Sequence, residues 1–279
     1  MKKLIDKYNS GTIVEKFIYL NIAAFCFTFM VSSFGFLMQS ESNFIMEWFA
    51  IPSEIETFAT RPWSIITYGF LHGSFFHILS NLFVLFYIGN LFLEYFTERQ
   101  FLSFYLYGTI FGGLLYLVSY SIFPAFENEQ AILVGASAAV MAIFIGIATY
   151  IPQYELKIRF IGYIKLWKLA LLFVLIDIIQ IPNGNSGGHL AHLGGALFGY
   201  IYMKQMHKSR IYFSIKNPFG SVFKKNSKLK TVYKTTTKTR FKNDQQQIDL
   251  ILDKISKSGY DSLTKEEKNL LFKQGKNKS

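Results

Sequence analysis

The sequence predicts an all-α, polytopic membrane protein with six transmembrane helices and a basic cytoplasmic tail. Three observations carry that fold class. First, 51% of the 279 residues are apolar and only 17% are charged, against about 25% charged in ordinary soluble domains. Second, six apolar segments approach the length of about 20 residues that a helix needs to cross the bilayer core. Third, the net charge of +11 is concentrated at one end. From Lys204 onward there are 19 Lys and Arg against 6 Asp and Glu, whereas the first 203 residues hold 10 against 12.

The six segments lie near residues 17–38, 75–96, 101–123, 137–151, 166–181 and 189–203. Several are short and contain polar residues, so they are expected inside the bundle or beside water rather than against lipid. The first is too long for a signal-peptide core and lacks a small-residue cleavage pattern. Basic residues flank alternate connections: Lys2, Lys3, Lys7 and Lys16 precede the first segment, and Arg99 follows the second. Lys157, Arg159, Lys165 and Lys168 follow the fourth, and the basic tail follows the sixth. Because Lys and Arg near helix ends stay cytoplasmic, both termini are expected inside. The domain boundaries are then a cytoplasmic segment 1–16, a six-span domain 17–205, a basic linker 206–245 and a short helical hairpin 246–279. The long connection 39–74 carries Phe44, Trp48, Phe49 and Trp63 and is expected to lie partly in the membrane interface.

Four groups of polar residues interrupt the apolar background: His72, His77 and Asn81; Ser137; Asp177; and His189 with His192. Such groups in a membrane domain cost a few kcal/mol each and face interior cavities. The simplest account of His77 and Asn81, four apart on one helical face, is interhelical hydrogen bonding. Gly135, Ala136, Ser137 and Ala138 equally suit close helix packing. A helix from Ser137 to the end of its apolar run is only about 22 Å long at 1.5 Å per residue, too short for the core. Its positive N-terminal end would lie below the surface, where it favours an oxyanion. His192, Gly195 and Gly199 share one face of the last helix, and the glycines admit a neighbouring backbone. Together these groups offer a hydroxyl nucleophile, an imidazole base and oxyanion donors.

These residues resemble the rhomboid family of intramembrane serine proteases. The likeness rests on His72-x4-His77-x3-Asn81, Gly135-x-Ser137 and Ala191-His192-x-Gly194-Gly195-x3-Gly199, in order, over residues 15–205. It implies a six-helix bundle in which Ser137 and His192 form a catalytic dyad without an acidic third member. It further implies an oxyanion hole from His77, Asn81 and the Ser137 N–H, with His72, Gly135, Gly195 and Gly199 in supporting roles. The implied activity is hydrolysis of transmembrane protein substrates near their outer ends, with no metal or organic cofactor. Three positions depart from the family pattern. Ala138 stands where glycine usually follows the serine, Met141 where an aromatic packs on the histidine, and Ser64 where arginine follows the tryptophan. Asp177 has no counterpart in the pattern; a buried hydrogen bond is expected for it.

Other classes fit less well. No His-Glu-x-x-His run exists for a metalloprotease, and Asp177 lacks a second membrane carboxylate for an aspartyl protease. A transporter or channel, or a non-catalytic binder of membrane helices, stays open as the alternative. The single cysteine, Cys26, forms no internal disulfide. Lysine richness and simple architecture suggest a bacterial inner membrane. In the tail, 12 bases and no acids between residues 204 and 243 suit anionic headgroups, while nucleic acid is not expected because no recognition motif accompanies the charge. Ile248, Ile251, Leu252 and Ile255 have helical spacing, Gly259 marks a stop, and Thr264 with Glu267 has capping-box spacing.

Overall fold

A computed structural model describes residues 10–39, 43–159, 162–209, 251 and 253–269. The chain divides near residue 218 into two units, and each is described by itself. The expected basic linker lies, from residue 210, outside the described residues, as do residues 1–9 of the N-terminal segment and Leu270, Leu271 and Phe272 of the hairpin.

The first unit is built on nine helices among the described residues. Six are the main ones: α1 (Ile13–Leu37), α5 (Phe75–Tyr95), α6 (Glu98–Ile122), α7 (Ser137–Tyr150), α8 (Leu166–Gln180) and α9 (Ser186–Ser209). Between α1 and α5 run the short helices α2 (Phe44–Phe49), α3 (Ile55–Thr60) and α4 (Ser64–Thr67). Side chains set the starts of three main helices. Thr12 and Glu15 form a reciprocal capping box at α1, Thr97 and Gln100 form another at α6, and the Ser74 hydroxyl accepts the His77 N–H at 3.2 Å to open α5. Each cap satisfies backbone donors that a helix start leaves unpaired.

Four helical stretches are long and apolar enough to cross a membrane: Ile13–Leu37, Phe75–Tyr95, Glu98–Ile122 and Leu166–Asn183. α7 is apolar but has only 14 residues. α9 has 24 residues, with Gly, His and Lys diluting its apolar character. Two small antiparallel ladders, which an all-α reading did not anticipate, complete the unit. In one, β1 (Ile51–Pro52) pairs with β2 (Ile132–Leu133), with Ile51 opposite Leu133. In the other, β3 (Glu155–Ile158) pairs with β4 (Gly162–Lys165). The first ladder fastens the long α1–α5 connection to the strand that leads into Ser137. The second lies at the opposite end of α7, beside the basic loop.

α7 is the centre of the bundle: every residue from Ala138 to Ala148 is buried. Lipid tails are as apolar as leucine, so helices in a membrane associate through close packing and small residues rather than through exclusion of water. Here α6, α7 and α9 supply those small residues in register. A Cβ on Gly195 or Gly199 of α9 would overlap the carbonyl oxygen of Ala138 or Ala142, respectively, on α7. On the other side, a Cβ on Gly108 or Gly112 of α6 would overlap the methyl group of Ala142 or Ala138. Gly194 faces the Phe111 carbonyl of α6 in the same way. Elsewhere buried polar groups pair across elements. The Tyr105 hydroxyl donates to the Gly69 carbonyl at 3.1 Å and accepts from Asn21 at 3.2 Å, and Tyr68 donates to the Thr109 carbonyl at 2.6 Å.

In the second unit, residues 253–258 and 265–269 are helical, and Gly259 adopts φ 77° between them. Thr264 and Glu267 form the expected capping box, with the Thr264 N–H donating to Glu267 at 2.8 Å. Lys254 donates to both oxygens of Glu267, which holds this carboxyl below the usual carboxylate range.

The close approach of α9 to α7 generates a prediction. Gly199→Ala, which adds one methyl group against the Ala142 carbonyl, should destabilise the folded protein by about 1–3 kcal/mol. A lower midpoint of thermal unfolding in detergent measures it, with Gly73→Ala, whose added methyl would meet nothing closer than Val134 at 3.9 Å, as the control.

Candidate active site

The polar residues singled out in the sequence converge on one cavity of about 300 Å³. Its walls include His77 and Asn81 from α5, Ser137 and Met141 from α7, Asp177 from α8 and His192 from α9. Ser137 is the first residue of α7, so its N–H is one of the donors a helix start leaves without an intrahelical partner. No side-chain cap competes for that end. The residue before the turn, Gly135, has φ 130°, a conformation closed to most side chains. Its N–H donates to the Tyr68 carbonyl at 3.0 Å. A Cβ at this position would lie 2.8 Å from His77 Nε2 and 3.4 Å from Ser137 Oγ. The missing side chain is therefore what lets the α5 imidazole and the serine hydroxyl share one space.

Asn81 is buried, and its amide donates to the His77 carbonyl at 3.0 Å. One of the two amide hydrogens is used in this bond, and the other is left to serve the cavity. His72 is fully buried behind the site, its ring edge-on to His77 at 5.1 Å between centroids. Neither of its ring nitrogens meets a hydrogen-bond partner among the described residues.

On the opposite wall His192 sits one turn above Gly195 on α9. Its Nδ1 stands 2.8 Å from Asp177 Oδ1, and His189 Nδ1 stands 2.8 Å from the same oxygen. Ser137 and His192 line the same cavity without a hydrogen bond between them; in unliganded sites such bonds are often long. The expectation of a buried hydrogen bond for Asp177 is met, but its partners were not foreseen. Asp177 and the two histidines lie on either side of a short connection, in which Gly184 and Asn185 both have positive φ. Residues similarly spaced from a tight turn between antiparallel helices come side by side, and that spacing was the available signal. These three side chains also offer one ligand atom each within 4.8 Å of one another, a two-histidine, one-carboxylate set of the kind that suits divalent transition metals. Their 2.8 Å separations are hydrogen-bond distances.

The three departures from the family pattern have local accounts. The Ala138 methyl packs against Gly112 of α6, away from the cavity. Met141 occupies the cavity wall itself. At Ser64, a fully buried residue, no arginine is present, but Arg61 covers the same loop. Its guanidinium lies 5.3 Å from the Trp48 ring and donates to the Glu47 carbonyl, and Trp63 stacks on Trp48 with 3° between their planes. Trp63 Nε1 then donates to the Trp48 carbonyl at 2.8 Å.

Comparison with known proteins bears on this geometry. The Rhomboid domain family matches residues 59–209, which is more than half of the chain and includes every residue named in the cavity. The chain belongs to the rhomboid family. Among its relatives is a presenilin-associated rhomboid-like protein A, mitochondrial, of Danio rerio, 31% identical over 152 residues, or 53% of this chain and 39% of the relative. RHOMBOID-like protein 12, mitochondrial, of Arabidopsis thaliana is 30% identical over 54% of this rhomboid and 48% of its own length. The human presenilin-associated rhomboid-like protein, mitochondrial, is 28% identical over 50% and 36%. This rhomboid thus spans less than half the length of these curated relatives. A family of unknown function (DUF6576) matches residues 237–276, the region of the expected hairpin.

One expectation is corrected by these relatives. A bacterial inner membrane rested on lysine content and simple architecture, which are matters of style rather than chemistry. The relatives named here are mitochondrial proteins, so the bacterial inner membrane is withdrawn. The membrane-integral character of the rhomboid stands.

The loop anchor and the Gly135 turn each yield a prediction. Arg61→Ala should remove the cation–π contact and destabilise the α2–α4 region by about 0.5–1 kcal/mol, seen as faster proteolytic nicking between residues 43 and 64. Gly135→Ala should leave the helical circular dichroism intact yet lower covalent labelling of Ser137 at least tenfold, because the methyl meets the His77 ring.

Proposed function

We propose that this rhomboid is an intramembrane serine endopeptidase whose six main helices form one bundle embedded in the membrane, with α7 shorter than the bilayer core. The observation that carries the reading is the single cavity in which Ser137, His192, His77 and Asn81 meet, drawn from three helices. Ser137 Oγ attacks the carbonyl carbon of the scissile peptide, and its proton passes to His192 Nε2. The tetrahedral oxyanion is held by the Ser137 N–H, His77 and Asn81, donors of the kind whose individual loss costs about 10²–10³ in rate. His192 then protonates the leaving amine, and water admitted through the cavity hydrolyses the acyl-enzyme by the reverse roles.

The position of the site supports a transmembrane substrate. α7 is about 21 Å long at 1.5 Å per residue, shorter than the bilayer core of about 30 Å, so Ser137 lies beneath the membrane surface on the side away from the basic loops. A substrate helix must unwind locally to present its backbone there. The 12 bases between residues 204 and 243 would suit anionic headgroups, at about 1 kcal/mol for each charge near the surface.

Fluorophosphonate labelling of the purified protein tests the reading. Wild type should label, whereas Ser137→Ala and His192→Ala should lose at least 99% of the signal while keeping their helical content. Equal labelling of all three proteins would reject a serine nucleophile activated by His192.

A further inference from the structure

Asp177 is a costly residue in its setting. It lies on α8, whose only other buried residues are Leu166 and Ala170, and a carboxylate within a membrane segment costs a few kcal/mol. A single interhelical hydrogen bond could be made by an amide at less cost. What the carboxylate offers in addition is charge, and it offers it at a defined atom. An ionised carboxylate oxygen only accepts hydrogen bonds, so His192 Nδ1, 2.8 Å from Asp177 Oδ1, carries a hydrogen. In a neutral imidazole the lone pair then resides on Nε2. That is the tautomer a serine needs in its base.

We propose that Asp177 is a positioning residue for the reaction of this rhomboid: its Oδ1 fixes the ring and tautomer of His192, so that Ser137, His192 and Asp177 act as a triad. The inference rests on the serine-protease reading above and departs from the dyad that the family resemblance implies. As Ser137 attacks, its hydroxyl proton goes to His192 Nε2, and the ring becomes an imidazolium. Asp177 takes no proton. It stabilises the positive ring through the charge-assisted bond to Nδ1. His189 Nδ1 shares the same oxygen at 2.8 Å, so both rings hold the carboxylate. The titratable groups that face His192 are Asp177 from α8, His189 from its own helix and His77 from α5; among the described residues no Lys or Arg lines this cavity.

A merely structural role and a positioning role separate in Asp177→Asn. The amide retains an acceptor oxygen, so it can still tie α8 to α9, but it removes the charge. The full chain in detergent is treated with a fluorophosphonate, and the second-order labelling rate is measured beside the ring 15N resonances of His192, which distinguish the two neutral tautomers. In Asp177→Asn the rate should fall about 10²-fold or more, and the Nδ1–H pattern should be lost. Asp177→Glu keeps the charge but lengthens the reach by one methylene; its Nδ1–H pattern should persist while its rate falls at least tenfold. If Asp177→Asn does not purify folded, Asp177→Glu decides the matter, and wild-type labelling by it would overturn the proposal. Asp177→Asn with the wild-type rate and Nδ1–H pattern, alongside an unlabelled Ser137→Ala, would overturn the positioning role and leave the protease reading intact. Undiminished labelling of Ser137→Ala would instead remove that reading and this inference with it.

Discussion

The contact between α9 and α7 at Gly195 and Gly199 sets most of the rest. In lipid no exclusion of water drives helices together, and their separation is fixed by how closely the backbones can approach. Two glycines one turn apart lie directly against the Ala138 and Ala142 carbonyls. His192 is one turn above the first of them, and Ser137 is the neighbour of Ala138. The spacing that packs the helices is therefore the spacing that brings an imidazole and a hydroxyl to one cavity. Gly108 and Gly112 of α6 meet the methyl groups of the same two alanines, so all three helices pack together at this level.

A second constraint is electrostatic. α7 is too short to traverse the bilayer core, and its free N–H groups sit beside His77, Asn81 and the buried carboxylate of α8. Each of these polar groups would be penalised in hydrocarbon, and their shared cavity removes much of the penalty by gathering them. On the proposed reading, the same gathering sets donors for a developing negative charge and a proton acceptor around one cavity. Gly135 connects the two constraints: its left-handed φ turns the chain into α7, and its lack of a side chain admits the His77 ring.

Much of this was legible in the residues. The six apolar runs became helices whose ends differ from expectation by at most six residues, because hydrophobic length and capping chemistry are local properties. Thr264 with Glu267 was readable as a cap for the same reason, and the spacing of His192, Gly195 and Gly199 did indicate a close neighbour. What the residues could not disclose was which neighbour. Gly108 and Gly112 are unremarkable within α6 until Ala142 and Ala138 are seen to face them. Asp177 stood as an isolated carboxylate because its partners are 12 and 15 positions away, beyond any helical period. Arg61 precedes Trp63 instead of following it, and its guanidinium lies over Trp48 of the stacked pair; a stacked ring accepts a cation from either direction. Composition reports solubility and charge and not cellular address.

The glycine seam between α6, α7 and α9 also bears on how such a chain can drift over generations. Glycine is the smallest residue, so a neighbour that grows by a methyl group cannot be accommodated by trimming its counterpart further. Ordinary cores tolerate exchanges of volume between facing positions; where Gly195 and Gly199 meet backbone carbonyls, this seam has nothing left to exchange. Variation is therefore pushed outward, to the lipid-facing sides of the same helices, where bulk and shape are free to wander.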